Sequence, residues 1–125
     1  MKKVLLCERT MSGHRRGYLE GLTSIPGIEF FCFAPENIGL DQAHVYECTE
    51  PQRRRSAAGY LRWVAQIRRI AKQNRIDVVH IADGDSIMRY FGLGLHGIEN
   101  VVITYHHFFP GLARKISYCT MNLGR

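Results

Sequence analysis

The sequence predicts an α/β chain: a doubly wound parallel sheet with helices on both faces, three layers deep. Three observations carry that expectation. Short apolar runs alternate with helical periodicity along the 125 residues. The apolar runs are continuous rather than alternating, as strands buried on both faces are. The composition, 46% hydrophobic and 22% charged, is that of a folded globular chain, with length for one domain and its core.

The elements follow in order. Lys3 to Glu8 reads as a buried strand, and a polar loop through Ser12-Gly13 leads into a helix over His14 to Ser24, stopped by Pro26-Gly27. Ile28 to Phe33 is a second strand, Pro35 to Asp41 a loop, and Ala43 to Cys48 a short third strand of weaker pattern. Ala57 to Arg75 has the clearest helical period. Ala57, Tyr60, Leu61, Val64, Ile67 and Ala71 share one face, and Arg55, Arg62 and Arg69 line the opposite one. Asp77 to Ala82 is a further buried strand, Asp85 to Leu95 a small helix, Val101 to Tyr105 a strand, and Pro110 to about Leu123 a helix with proline in its first turn. In such a sheet Val4–Cys7 and Val78–Ile81 are expected to be adjacent central strands. A doubly wound domain usually completes about six strands. Five are read here and a helix comes last, so the Rossmann-like domain reads as truncated.

Several function classes are excluded. The apolar run Val4–Cys7 is cut short by Glu8 and Arg9, too soon for a signal peptide. The long uncharged stretch from Asn100 to Ala113 contains His106, His107 and Pro110, so it does not read as a membrane helix. Cys7, Cys32, Cys48 and Cys119 form no C-x-x-C pair and sit mostly in apolar runs, which fits reduced, buried thiols in a cytoplasmic protein. Neither Cys nor His spacing suits zinc, so neither metal nor cofactor is expected.

The net charge of +6 is local. Between Pro51 and Ile76 stand eight basic residues and no acidic one. An anionic partner is expected to meet the protein there, at Arg55, Arg62 and Arg69. The plain reading is a solvated helix face. A second is contact with the cytoplasmic face of an anionic membrane, with Trp63 and Tyr60 at the interface. Nucleic acid is the third, and the segment lacks the interleaved aromatics or reader module it would want.

In an open α/β sheet, ligands bind beyond the carboxyl ends of the strands. That rule selects Glu8 to His14, Ala82 to Ser86, and His106 to Gly111. The dinucleotide fingerprint G-x-G-x-x-G is absent: the first loop reads Ser12-Gly13-His14-Arg15-Arg16-Gly17. Gly13, Gly17 and Gly21 recur every four residues, which reads as a face letting the helix lie close on the sheet. Ser12 and the free amides at the helix start are also suited to an anion. His80 lies inside an apolar strand and reads as a hydrogen-bonded core histidine. Asp83-Gly84 forms a turn, with Asp85 or Ser86 as a cap and Asp83 as a candidate substrate contact. His106, at a strand end, is either a structural hydrogen-bonding residue or one that faces a ligand.

Three pieces in this order carry a resemblance: the first strand with its small-residue loop and glycine-bearing helix, Asp77-Val78-Val79-His80, and Val101 through His106. The chain resembles, over essentially its whole length, the N-terminal domain of the retaining GT-B glycosyltransferases called glycosyl transferases group 1. In that family the pieces read Gly-Gly, a "DVVH" strand, and a "T-x-H-D" strand end. Here Ser12-Gly13 replaces the glycine pair, and His107 stands in place of the aspartate. The resemblance implies that residues 1–125 form the acceptor-side domain, holding an acceptor glycan, lipid or small molecule. It implies that His106 faces the transferred sugar, with Ser12, Gly13, His14, Asp83 and His107 near the substrate. The nucleotide-sugar donor would bind a C-terminal domain marked by two glutamates eight residues apart, a spacing no two glutamates here show. These 125 residues alone are therefore expected to be inactive. It also implies retention of anomeric configuration without a metal. The rival is a stand-alone flavodoxin-like binding or regulatory module using the basic helix as its contact surface. A receiver-type version would want paired acids after the first strand, where only Glu8 stands, followed by Arg9.

Overall fold

The structure is a computed structural model, and it describes residues 1–8, 15–35, 43–48, 57–82, 87 and 90–104, with backbone alone for Arg15, Arg16 and Tyr18. The elements are β1 (Lys2–Cys7), α1 (Arg15–Thr23), β2 (Ile28–Pro35), β3 (Ala43–Cys48), α2 (Ala57–Asn74), β4 (Val78–Ile81) and β5 (Val101–Ile103). The five strands form one all-parallel sheet in the order β3-β2-β1-β4-β5. The expected adjacency of β1 and β4 is present, with Val4 beside Val78 and Cys7 beside Ile81.

This order explains the two-sided core. The chain moves outward from β1 to β3, then crosses back to β4 through α2. Right-handed crossovers in opposite directions place their helices on opposite faces of a sheet. Accordingly α2 sits over Leu5, Cys7, Phe31, Phe33, Val79 and Ile81. On the other face Leu19 of α1 joins Leu6, Phe30, Cys32 and Ala34. With both faces covered, β1 and β2 need continuous apolar runs. At the edge, β3 has a mixed exposure, and its exposed His44 stacks on Phe31 with ring centroids 4.6 Å apart and reaches Glu29 at 3.2 Å.

The buried stripe of α2 is turned from the expected one. Gly59, Tyr60, Trp63, Val64, Ile67 and Ile70 are buried, whereas Leu61 is 48% exposed and Ala57 is exposed. Trp63 and Tyr60, placed above at a membrane interface, are instead at 0% exposure in the core. The helix closes with Ile76 N–H on Ala71 C=O at 3.0 Å and Arg75 N–H on Lys72 C=O at 3.4 Å, with Arg75 in the left-handed region (φ 53°). That pair of bonds is a Schellman cap, with Ile76 folding back onto the core beside Ala71.

The expected helix over Asp85 to Leu95 does not reach Leu95. Ile87 is helical, but residues 90–94 form turns, and the chain reverses through left-handed Phe91, Gly92 and Gly94. Gly94, at φ +85°, would place a Cβ 3.0 Å from Val64 Cγ1, so the turn lies against α2 only with glycine there. The turn is also tied to α2 by side chains. Tyr60 Oη donates to Leu93 C=O at 2.8 Å, and Arg68 Nη1 donates to the carbonyls of Gly94 (2.8 Å) and His96 (2.9 Å).

The glycine face of α1 is a second correction. Gly17 and Gly21 are exposed, and a Cβ on either meets nothing within 4 Å, so neither serves close packing among the described residues. Glycine inside a helix costs roughly 0.5–1 kcal/mol against alanine. Gly17→Ala and Gly21→Ala are each expected to stabilise the chain by about that amount, raising Tm by a few degrees in a thermal melt. A fall in Tm would mean that the α1 surface is covered.

Candidate functional site

The carboxyl ends of β1, β4 and β5 lie side by side, at the place where the strand order reverses. The ladder continues one residue past each strand there. Glu8 N–H donates to Phe33 C=O, Ala82 N–H to Cys7 C=O and Thr104 N–H to Ile81 C=O, each at 2.9 Å. The described residues Glu8, Ala82 and Thr104, at or just before the segments selected from the sequence, therefore lie along one contiguous edge of the sheet. This is the topological switch point at which doubly wound sheets bind ligands.

Glu8 is at 0% exposure at the end of the central strand. The sequence places it at the head of the selected segment Glu8 to His14, with no burial foreseen for it. The available signal was a carboxylate directly continuing a buried strand, where a charge is costly without partners. Its neighbours feel it. Cys7 is raised well above the usual thiol range by burial first and then by Cys32, Glu8 and Cys48. Cys32 is pushed up to about 12, by burial and then by the Glu8 charge. These two buried thiols stay protonated, so neither is arranged as a nucleophile.

His80 behaves as the core histidine expected of it. Its Nε2 is 2.8 Å from Thr104 Oγ1, on the sheet face away from α2, and burial lowers its pKa below the ordinary histidine value of 6.5. It is thus neutral at pH 7. A group whose folded pKa is depressed leaves the unfolded chain binding more protons at acid pH. Stability from this group is intact above about pH 6.5 and is lost as pH falls from there through its folded pKa. In melts across this range, His80→Gln is expected to show a shallower acid loss than the unmodified chain. An unchanged slope would place the titration elsewhere.

Asp77, the first residue of the Asp-Val-Val-His segment, has a structural task at the opposite end. Its carboxylate accepts from Lys3 N–H at 2.8 Å, and its C=O accepts from Asn100 Nδ2 at 3.2 Å, pinning the amino ends of β1, β4 and β5. A groove of about 280 Å³ bordered by Lys72, Ile76, Gly97 and Glu99 lies at that end too, away from the switch point.

Of the residues selected from the sequence, Ser12, Gly13, His14, Arg55, Asp83, His106 and His107 lie outside the described residues. Arg62 and Arg69 are described and are exposed on the outer face of α2, as expected. Among the described residues no group of three or more His, Cys, Asp or Glu side chains is placed to hold a metal ion. No described helix is long and apolar enough to cross a membrane. Comparison with protein-family models, with curated proteins and with solved structures gave no match.

Proposed function

We propose that the chain is the acceptor-side half of a nucleotide-sugar-dependent glycosyltransferase of the GT-B type. One observation supports this reading above the rest. The three segments whose sequence order resembles that family spring from neighbouring strand ends, with β1, β4 and β5 terminating together at Glu8, Ala82 and Thr104. A ligand lying across that edge would meet the ends of β1, β4 and β5 at once. In this reading the edge holds the acceptor and faces a second domain that carries the donor. The chain contributes positioning and polar contacts at the transferred sugar, where orientation alone can supply much of a rate enhancement.

The reading has a direct binding test. A polypeptide of these 125 residues, titrated with UDP-, GDP- and ADP-sugars in a calorimeter, is expected to give no measurable heat. The full-length protein is expected to bind one of them and to transfer its sugar. Micromolar binding by the 125 residues alone would overturn the two-domain account and favour a self-sufficient binding module.

A further inference from the structure

The outer side of α2 and the turn beside it bring large apolar side chains together with cations. Leu61 is 48% exposed, Phe91 43% and Leu93 49%. Leu61 and Val64 flank Gly94 and Tyr60 holds the carbonyl of Leu93, so Leu61 stands beside the turn that carries Phe91 and Leu93. Arg68 ties the other end of the turn to α2 through the carbonyls of Gly94 and His96. Phe91 adds an independent sign. It takes φ 54°, a conformation unfavourable for a bulky side chain, and still leaves 43% of the residue exposed. Around these side chains α2 presents Arg62, Arg69 and Lys72 outward, on a segment whose eight cations are interrupted by no acid.

Cations alone would suit any polyanion. Aliphatic side chains held among them suit a surface with a charged layer over an apolar one. Nucleic acid would instead call for aromatic stacking platforms along a basic groove, and two of the three apolar residues here are leucines. We propose that this face docks on an anionic lipid bilayer. Phe91, Leu93 and Leu61 enter the boundary between headgroups and acyl chains, while Arg62, Arg69 and Lys72 meet lipid phosphates. The proposal stands apart from glycosyl transfer and holds whether or not the chain belongs to an enzyme.

Co-sedimentation of the full chain with vesicles tests it. Vesicles of phosphatidylglycerol and phosphatidylcholine in equal parts are expected to carry the protein down, and vesicles of phosphatidylcholine alone are not. Each cation near an anionic leaflet is worth about fivefold in partitioning. Arg69→Glu with Lys72→Glu, both at exposed helix positions, should therefore weaken binding by at least about tenfold. Phe91→Asn with Leu93→Ser keeps every cation and puts at position 91 a residue that tolerates the left-handed conformation. It too should weaken binding, by about tenfold, with the circular dichroism spectrum unchanged. No sedimentation of the unmodified chain with the anionic vesicles at low salt overturns the proposal. Full binding by the Phe91→Asn, Leu93→Ser variant overturns it as well, because attraction would then be charge alone. So does a single-stranded oligonucleotide that binds the chain with equal loss in that variant while the vesicles do not bind, which would assign the face to nucleic acid.

Discussion

Replacing Trp63 by alanine is expected to cost about 3–5 kcal/mol, the range for deleting a large aromatic from a packed core. That is comparable with the whole stability of many domains of this size. The indole is at 0% exposure, between Tyr60 and Ile67 on the stripe of α2 that lies over Leu5, Phe33, Val79 and Ile81. Tyr60 leans on it with ring centroids 6.3 Å apart and stacks on Tyr90 at 4.6 Å, so a gap at Trp63 would also loosen the turn that follows β4. In urea the midpoint should fall by at least about 1 M, given the usual dependence of stability on denaturant. Trp63→Phe should lose much less, because most of the volume remains. A Trp63→Ala chain that unfolds at the unmodified midpoint would return the indole to the surface, as the membrane reading of the basic helix had it.

That misplacement shows which part of the fold was legible. The central strands were, because burial on both faces forces a continuous apolar run and leaves little choice of period. β3 was legible as a segment, though its edge position accounts for its mixed pattern of exposed His44 and Glu47. The facing of α2 was not. Leu61 and Trp63 are both apolar, and a helix of 18 residues with apolar side chains on more than half its circumference does not declare its inner side. The sheet decides it, by supplying a surface wide enough for Trp63 and Ile70. The turn at residues 90–97 was read as helix because its apolar spacing fits a helical period. The left-handed residues Phe91 and Gly92 break it, and Gly94 does so through contact with Val64, a residue 30 positions away in sequence.

The candidate site was legible as a location more than as a set of residues. Its edge follows from strand order, which the sequence implied through alternating strands and helices. Glu8 was on the page as the residue ending β1, yet its burial depends on what packs around a strand end, and local pattern carries no such information. His80 was legible because an imidazole inside an apolar strand needs a polar partner, and Thr104 from the next strand is that partner. The spacing of Gly17 and Gly21 misled. A four-residue repeat on a helix has the same appearance whether the face meets a sheet or solvent.

The contrast between His80 and His106 gives the second large effect. In the full-length protein, His106→Ala is expected to lower kcat by roughly 10²-fold or more, the contribution of a positioned proton-handling group. His106 follows Thr104 by two residues, and Thr104 is fixed by its N–H on Ile81 C=O and its hydroxyl on His80. The strand end is thereby anchored from two directions just before the residue that would face the sugar. A neutral imidazole can donate to a sugar hydroxyl, and contacts that strengthen as charge develops at the anomeric carbon act on kcat rather than on binding alone. Removing such a group should leave the urea midpoint nearly unchanged. His80→Ala should do the reverse, costing about 1–3 kcal/mol through a lost hydrogen bond and a half-buried gap. Its kinetic effect should be smaller than that of His106→Ala so long as the chain is folded, because His80 holds Thr104 inside the sheet and precedes the strand end. Activity and stability measured on both variants separate the two roles. If His106→Ala keeps full activity, or unfolds the chain while His80→Ala does not, then the site histidine is not His106 and the glycosyltransferase reading loses its main chemical support.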